Sequence, residues 1–328
     1  MEIGKVPESV LKRSVLKQLK TKREEVILGS GVGEDCGALE LKEDEIFVVS
    51  TDPITGTAKE IGNLSVLITV NDLASSGAEA IGILLTVLLP DQTKEKVLRE
   101  IMEQVNAACD AAGIQVIGGH TEVTAAVNQP LVSVTGIGKV KKGRLISTAG
   151  ARPGMDLIVT KWIGIEGTTI IAREKEEELR QVFPEAYVKS MCDMSEYLSV
   201  QKDGVIAAAA GAAAMHDITE GGVFGALWEV SSASGVGLDV DLSRIPIRQE
   251  TVELCDHYKL NPYGLISSGS MLIAAENGLK VVRALEEAGI SATIIGRTTS
   301  GREKAIHYDG QIRYLEQPKT DEFHKVLG

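Results

Sequence analysis

Five short segments set acidic or small polar residues beside apolar runs: Gly33-Glu34-Asp35, Thr51-Asp52, Asn71-Asp72, Gly118-Gly119-His120-Thr121-Glu122 and His216-Asp217-Ile218-Thr219-Glu220-Gly221-Gly222. Asn71-Asp72 poses the sharpest question. It sits inside ITVNDLASSGAEA (68–80), a stretch that otherwise reads as a buried helix. A buried carboxylate needs a metal, a cation or several donors to hold it. Magnesium prefers hard oxygen ligands and takes one or two carboxylates together with substrate phosphates. Several Asp side chains converging on two or three Mg²⁺ ions would neutralise a nucleoside triphosphate. Glycines would let backbone N–H groups approach its phosphates, and Thr121 and Thr219 would donate hydroxyl hydrogen bonds to the same oxygens. Any one segment reads equally well as a cap or a turn. The weight lies in the five together. A Gly-x-x-x-x-Gly-Lys-Ser/Thr loop is absent, and Gly-Ser-Gly-Val-Gly at 29–33 runs into Glu34-Asp35 with no clear strand before it, which fails the dinucleotide pattern.

The elements that must position these residues follow from periodicity. In the first half, helical spacing covers 8–20, 60–78 and 94–112, the last with Val97, Ile101, Val105 and Ala108 on one face and Gly113 as its cap. Strands are expected at 46–50, 83–89, 114–117 and 131–138, with Gly118-Gly119-His120-Thr121 ending the third. Ala151-Arg152-Pro153-Gly154 is a hinge, after which the pattern restarts. The second half predicts strands at 156–162, 236–242, 271–275 and 293–297. Its helices are expected at 205–215, 224–232, 249–258 and 280–288, and the charged run 173–180 is a solvated helix face. Strands and helices alternate without a regular β-α repeat, so the expected class is α+β in two domains, 1–150 and 151–328.

Composition excludes several classes. The 328-residue chain carries 34 Lys and Arg against 46 Asp and Glu, a net charge of −12. That disfavours nucleic-acid or anionic-membrane partners, and 4% aromatics leave little for base stacking. The chain lacks an apolar run of membrane-spanning length and a signal-peptide pattern at its N-terminus. Cys36, Cys109, Cys192 and Cys255 are scattered, as expected of reduced thiols in a cytoplasmic protein. Cys36 is expected to be buried and inert. His120 is open to two readings, a phosphate contact or proton-transfer group and a hydrogen-bonded turn residue, and His216 reads as structural.

In this order the motifs resemble the AIR synthase-like ATP-binding superfamily, which includes aminoimidazole ribonucleotide synthase, selenophosphate synthetase, thiamine-monophosphate kinase and the HypE-type hydrogenase maturation proteins. The resemblance runs from Gly31-Val-Gly-Glu-Asp35 to Ile294-Ile-Gly-Arg297. Asp35 matches the second acid of the family's Gly-Asp-Asp segment, and Thr51-Asp52 its strand-end Thr-Asp. Asn71-Asp72 with Gly77-Ala78 matches its Asn-Asp helix, residues 118–121 its Gly-Gly-x-Thr, and Asp217, Thr219, Gly221 and Gly222 its second-domain Asp-x-Thr-x-Gly-Gly. The resemblance implies metal ligands at Asp35, Asp72 and Asp217. It implies ATP contacts at Asp52, Asn71, Gly118, Gly119, His120, Thr121, Thr219, Gly221 and Gly222, with Mg²⁺ as cofactor, and it singles out no catalytic residue. It further implies a homodimer whose N-terminal ATP-binding domains pair into a β-barrel-like sheet with ATP along the seam, and a C-terminal α/β sandwich domain.

Gly164-Ile-Glu-Gly167, Gly222-Val-Phe-Gly225 and Asn261-Pro262-Tyr263 place the chain nearest the HypE-type branch. It departs from that branch at its end. HypE-type proteins carry a terminal Cys as carbamoyl acceptor, whereas this chain finishes Phe-His-Lys-Val-Leu-Gly and its last cysteine is Cys255. Ser267-Ser268-Gly269-Ser270 stands where thiamine-monophosphate kinases have Gly-Glu-Asp, and His120 where the superfamily often has an acid. The expected activity is Mg²⁺–ATP-dependent activation of an oxygen on a small substrate. The alternative is an ATP-binding maturation or scaffold protein with little turnover, acting on a partner protein.

Overall fold

The computed structural model describes all residues except 2, 33–35, 55–59, 319 and 328. The metal candidate Asp35 therefore lies outside the described residues. The chain forms two compact units, Met1–Leu73 with Ala78–Leu145, and Ala74–Gly77 with Ile146–Gly328.

The first unit contains β1 (Gly4–Lys5), a helical stretch over 8–18, β2 (Val26–Leu28), β3 (Ala38–Leu39), β4 (Glu45–Ile54) and α1 (Ile61–Ser75). Of α1 only Ala74 and Ser75 are counted with the second unit, and there follow β5 (Glu79–Leu89), α2 (Glu95–Ala112), β6 (Gln115–Val123) and β7 (Leu131–Lys141). Five strands pair in the order β1-β6-β5-β7-β4. β5 and β6 run parallel, the arrangement a crossover helix such as α2 allows, and the other pairs are antiparallel. The strict alternation of β7 buries Val132, Val134 and Val140. These pack with Leu85, Val87 and Leu89 of β5 against Val66, Val70 and Leu73 of α1 and Leu98, Ile101 and Val105 of α2. Gly113 ends α2 in the left-handed conformation, φ 67°, as its cap position requires. The opposite face of the sheet is open, with Phe47 52% and Val49 66% exposed.

The second unit contains β8 (Asp156–Thr160), α3 (Ile165–Glu174), α4 (Glu185–Asp193), α5 (Gln201–Ala210), β9 (Ala212–Asp217), α6 (Gly222–Ser234) and β10 (Gly237–Asp241). It continues with α7 (Gln249–Tyr258), β11 (Met271–Ala275), α8 (Gly278–Glu287), β12 (Ala292–Thr299), β13 (Lys304–Tyr308) and β14 (Gln311–Tyr314). Its seven strands pair in the order β14-β13-β10-β12-β8-β11-β9, all antiparallel except β10 with β13.

Two expectations are corrected. The alanine-rich run 205–215 is not one helix. Gly211, at φ 109°, stops α5, and Ala212–Asp217 turns into a strand on β11. Small side chains fit a crowded helix and a buried strand equally, so composition did not separate them. Second, Gly118-Gly119-His120-Thr121 does not end a strand: it lies within β6, and the parallel ladder with β5 continues to Val123.

That register explains Gly119, where a Cβ would stand 2.0 Å from the carbonyl oxygen of Leu85. A Cβ on Gly118 meets only the flexible Cδ2 of Leu84, at 3.3 Å. Gly119→Ala should therefore lower stability by about 1–3 kcal/mol, the usual cost of overpacking, and Gly118→Ala by much less. Urea unfolding of the two variants checks this, and equal losses would contradict the register.

Candidate functional site

Side chains two apart along a strand share a face. Ser50 and Asp52 therefore point the same way as Ile46 and Val48, which pack on the helix-side core. From α1, Asp72 meets the first of them: the Ser50 hydroxyl donates to Asp72 Oδ2. Asn71, next to it, is 1% exposed. The Asp52 side chain makes no hydrogen bond or ion pair with any described residue. The Ser50–Asp72 bond thus joins β4 to α1, with Asp52 two residues along the same strand face and Asn71 next to Asp72 in sequence; such oxygen donors are the kind that magnesium prefers. Among the described residues no three His, Cys, Asp or Glu side chains close on one point. An ion here would complete its shell with phosphate, water or residues outside those described.

β6 divides its motif between two faces. Gly119 and Thr121 are in register with Leu85 and Val87, the buried side of β5, whereas Gly118 and His120 pair with Leu84 and Thr86 on the open side. His120 is not a turn residue: its Nε2 lies 2.9 Å from Glu122 Oε2, two residues along the same open face. The structure therefore sets Asp52 and Asp72 on the helix-covered side of the sheet, with Asn71 next to Asp72 in sequence, and His120 on the opposite side. Cys36 is exposed, not buried as expected.

In the second unit, β9 ends at Asp217, opposite Met271 of β11, and the loop 218–221 leads into α6. Two buried acids that the sequence motifs did not identify accompany Asp217. Glu166, in the first turn of α3 and 3% exposed, accepts the Ser268 N–H at 3.3 Å. Asp321, from the C-terminal segment, accepts the N–H groups of Gly221 at 2.6 Å, Phe323 at 2.8 Å and Ile266 at 3.2 Å. Burial pushes the Glu166 carboxyl up to about 7, and the charges of Asp321 and Asp217 push the same way against its bond to Ser268. Burial also raises Asp321, opposed by its three N–H donors.

These contacts correct the expectation for the Gly-Gly pair. Gly221 gives its N–H to Asp321 and Gly222 gives its own to Thr219 O, at 3.1 Å, so in this conformation neither is available to a phosphate. Gly222 has a packing reason instead. It sits at φ 60°, and a Cβ there would stand 2.6 Å from the carbonyl oxygen of Tyr263. His216 is structural, as expected: its Nε2 lies 2.7 Å from Glu229 Oε2. Ser50 was within reach of sequence reasoning, since it shares the alternating face of Asp52. Glu166 carried the weaker signal of an acid between glycines, and Asp321 carried none.

With this geometry in place, comparison with known proteins decides the family. The model of the AIR synthase related protein N-terminal domain matches residues 33–140, and that of the C-terminal domain matches residues 152–309. The chain belongs to the AIR synthase related family. Among its relatives, the carbamoyl dehydratase HypE of Rhodobacter capsulatus is 31% identical over 268 residues, 80% of this chain and 74% of that one. The thiamine-monophosphate kinase of Methanospirillum hungatei is 30% identical over 294 residues, covering 88% and 89%. A crystal structure of the hydrogenase maturation protein HypE in complex with ATP shares the AIR synthase related fold, with a TM-score of 0.77 and 19% identity, covering 98% of this chain and 97% of that one. The two-domain α+β architecture is that of this family.

The Glu166 carboxyl makes a pH prediction. Its folded pKa of about 7 lies above the ordinary 4.5, so between these values the folded state keeps a proton that the unfolded chain has lost. Stability should then fall as pH rises through that window, by about 1.4 kcal/mol per pH unit. Glu166→Gln should abolish this fall and gain relative to wild type above pH 7. Urea midpoints at several pH values, in chelator, check it; parallel profiles for the two proteins would contradict it.

Proposed function

We propose that the protein is an ATP-dependent enzyme that binds Mg²⁺–ATP through the first unit and activates an oxygen of a small substrate by phosphorylation. The observation that carries the proposal is the bond from Ser50 to Asp72, which joins β4 to α1 with Asp52 on the same strand face and Asn71 beside Asp72 in sequence. Asp72 and Asp52 would hold the ion, with Asp35 as a third ligand. Bound there, magnesium would neutralise the triphosphate and polarise the phosphoryl group that is transferred. The Ser50 hydroxyl fixes the Asp72 carboxylate in one orientation, the kind of preorganisation that supplies most catalysis in phosphoryl transfer. Thr121, on the helix-covered side of β6, would donate to phosphate. In the second unit Asp217 and Thr219 are the polar groups assigned to nucleotide or substrate. The family relatives named as a carbamoyl dehydratase and a thiamine-monophosphate kinase, and the HypE fold neighbour with ATP bound, support nucleotide use.

The open sheet face supports a homodimer. Phe47 and Val49 on β4, Ile137 on β7 and Leu84 on β5 form one apolar patch by register, Val49 opposite Ile137 and Leu84 beside them. A second copy covering this face would bury it. The same patch favours a second reading, in which a partner protein docks there and ATP turns over slowly.

Two measurements test these proposals. A thermal shift with ATP should require Mg²⁺ in wild type and vanish in Asp72→Ala, since a ligand that binds only the folded state at about 100 times its Kd stabilises it by about 2.7 kcal/mol. A wild-type protein unmoved by millimolar Mg²⁺–ATP would sink the ATP reading. Sedimentation should show a dimer that Val49→Asp converts to monomer; a dimer untouched by that charge would place the contact elsewhere.

A further inference from the structure

The far edge of the second unit is a hairpin with a specific turn. Asp309 and Gly310 join β13 to β14 with φ 47° and 72°, the two left-handed positions that a two-residue hairpin loop requires. The register sets Ile306 opposite Arg313, and Tyr308 lies two residues from Ile306 on the same face. After β14 the chain folds back, with the Leu315 N–H donating to Lys304 O at 2.8 Å. A cavity of about 660 Å³ opens between this hairpin, the C-terminal segment, the first turn of α6 and the turn at 261–264. That volume suits a small molecule.

The walls are apolar and aromatic. The rings of Phe224 and Tyr263 lie nearly parallel, 5.4 Å apart and inclined by 19°, and Leu242, Ile306 and Leu315 line the cavity with them. Tyr308 and Tyr314 stand at the mouth. The polar groups divide into committed and free. Glu322 is committed, since it accepts the Asn261 N–H at 2.9 Å and Lys325 Nζ at 2.7 Å. Asn261 Oδ1 accepts the Tyr263 N–H at 3.2 Å. The side chains of Arg313 and Glu316 make no hydrogen bond or ion pair with any described residue. A free guanidinium over an aromatic pocket is a recognition group, because it pairs with anions in a fixed fork and stacks on rings.

We propose that this cavity binds a flat aromatic molecule carrying one compact acidic group, its ring against Phe224 and Tyr263 and its acid on Arg313. Burial and the neighbouring Tyr308 raise the Tyr263 phenol, so it stays a neutral donor. Glu316 on the same lining disfavours a polyphosphate. The site is thereby set apart from the ATP site assigned to the first unit, and its success or failure is independent of that assignment.

The test is a fluorescence titration of the full-length protein with 8-anilinonaphthalene-1-sulfonate, a flat aromatic anion, and with its uncharged relative N-phenyl-1-naphthylamine. Wild type should show one saturable site for the anion that Mg²⁺–ATP does not displace. Arg313→Gln should weaken the anion at least five-fold and leave the neutral probe unchanged. Tyr314→Ala should weaken both, and the exposed control Arg302→Gln neither. Arg313 and Tyr314 are exposed, so both variants should fold, and their circular dichroism checks it. Unsaturable binding, equal anion affinity in Arg313→Gln, or displacement by Mg²⁺–ATP would overturn the proposal.

Discussion

Helix α1 lies against β7 at a separation that only glycine permits. A Cβ on Gly136 would stand 2.5 Å from Thr69 Cγ2 and 3.1 Å from Leu73 Cδ1, and one on Gly138 would stand 3.5 Å from the same Leu73 atom. Asp72 lies one residue before Leu73, so the same approach brings its carboxylate down to Ser50 on the neighbouring strand. A larger residue at 136 would lift the helix and draw the Asp72 carboxylate away from Ser50. The packing of an apolar helix and the assembly of a polar site are thus one event in this unit. This also accounts for Asn71 and Asp72 inside a segment built for burial: β4 turns toward them the two polar residues of an otherwise apolar face.

The second unit solves a related problem with backbone donors. Asp217, Glu166 and Asp321 are all buried, and no lysine or arginine among the described residues pairs with Glu166 or Asp321. Asp321 is held by three N–H groups, enough to support a buried charge. Glu166 has one N–H donor and sits among other acids, and its carboxyl accordingly keeps its proton up to about 7. Asp321 links the C-terminal segment to the Gly221 loop and to Ile266, so the conformation of that loop depends on a residue a hundred positions away.

The legible parts of this fold were those with strong periodicity or punctuation. The amphipathic spacing of α2 and the glycine that stops it were readable, as were α7 and β11, whose spans match the expected 249–258 and 271–275. Weakly patterned elements were not. All four residues of β14 are exposed, so nothing in their polarity marks a strand, and the alanine run of α5 and β9 has no contrast between faces. At the proposed site, Asp52, Asn71 and Asp72 are legible as candidates because carboxylates beside apolar runs stand out. Asp321 was invisible because its importance comes from distant backbone groups. Gly221 and Gly222 were read as phosphate cradles, while the close packing of Gly222 and the bond from Gly221 to Asp321 are visible only in three dimensions.

The most direct test of the central claim is a crystal structure with a non-hydrolysable ATP analogue and Mn²⁺ in place of Mg²⁺, located by its anomalous scattering. Coordination to Mn²⁺ by a carboxylate oxygen of Asp72, with the triphosphate on the same ion beside Ser50 and Asp52, is the predicted result. A nucleotide whose Mn²⁺ touches only phosphate and water, or one bound away from the junction of β4 and α1, would contradict it.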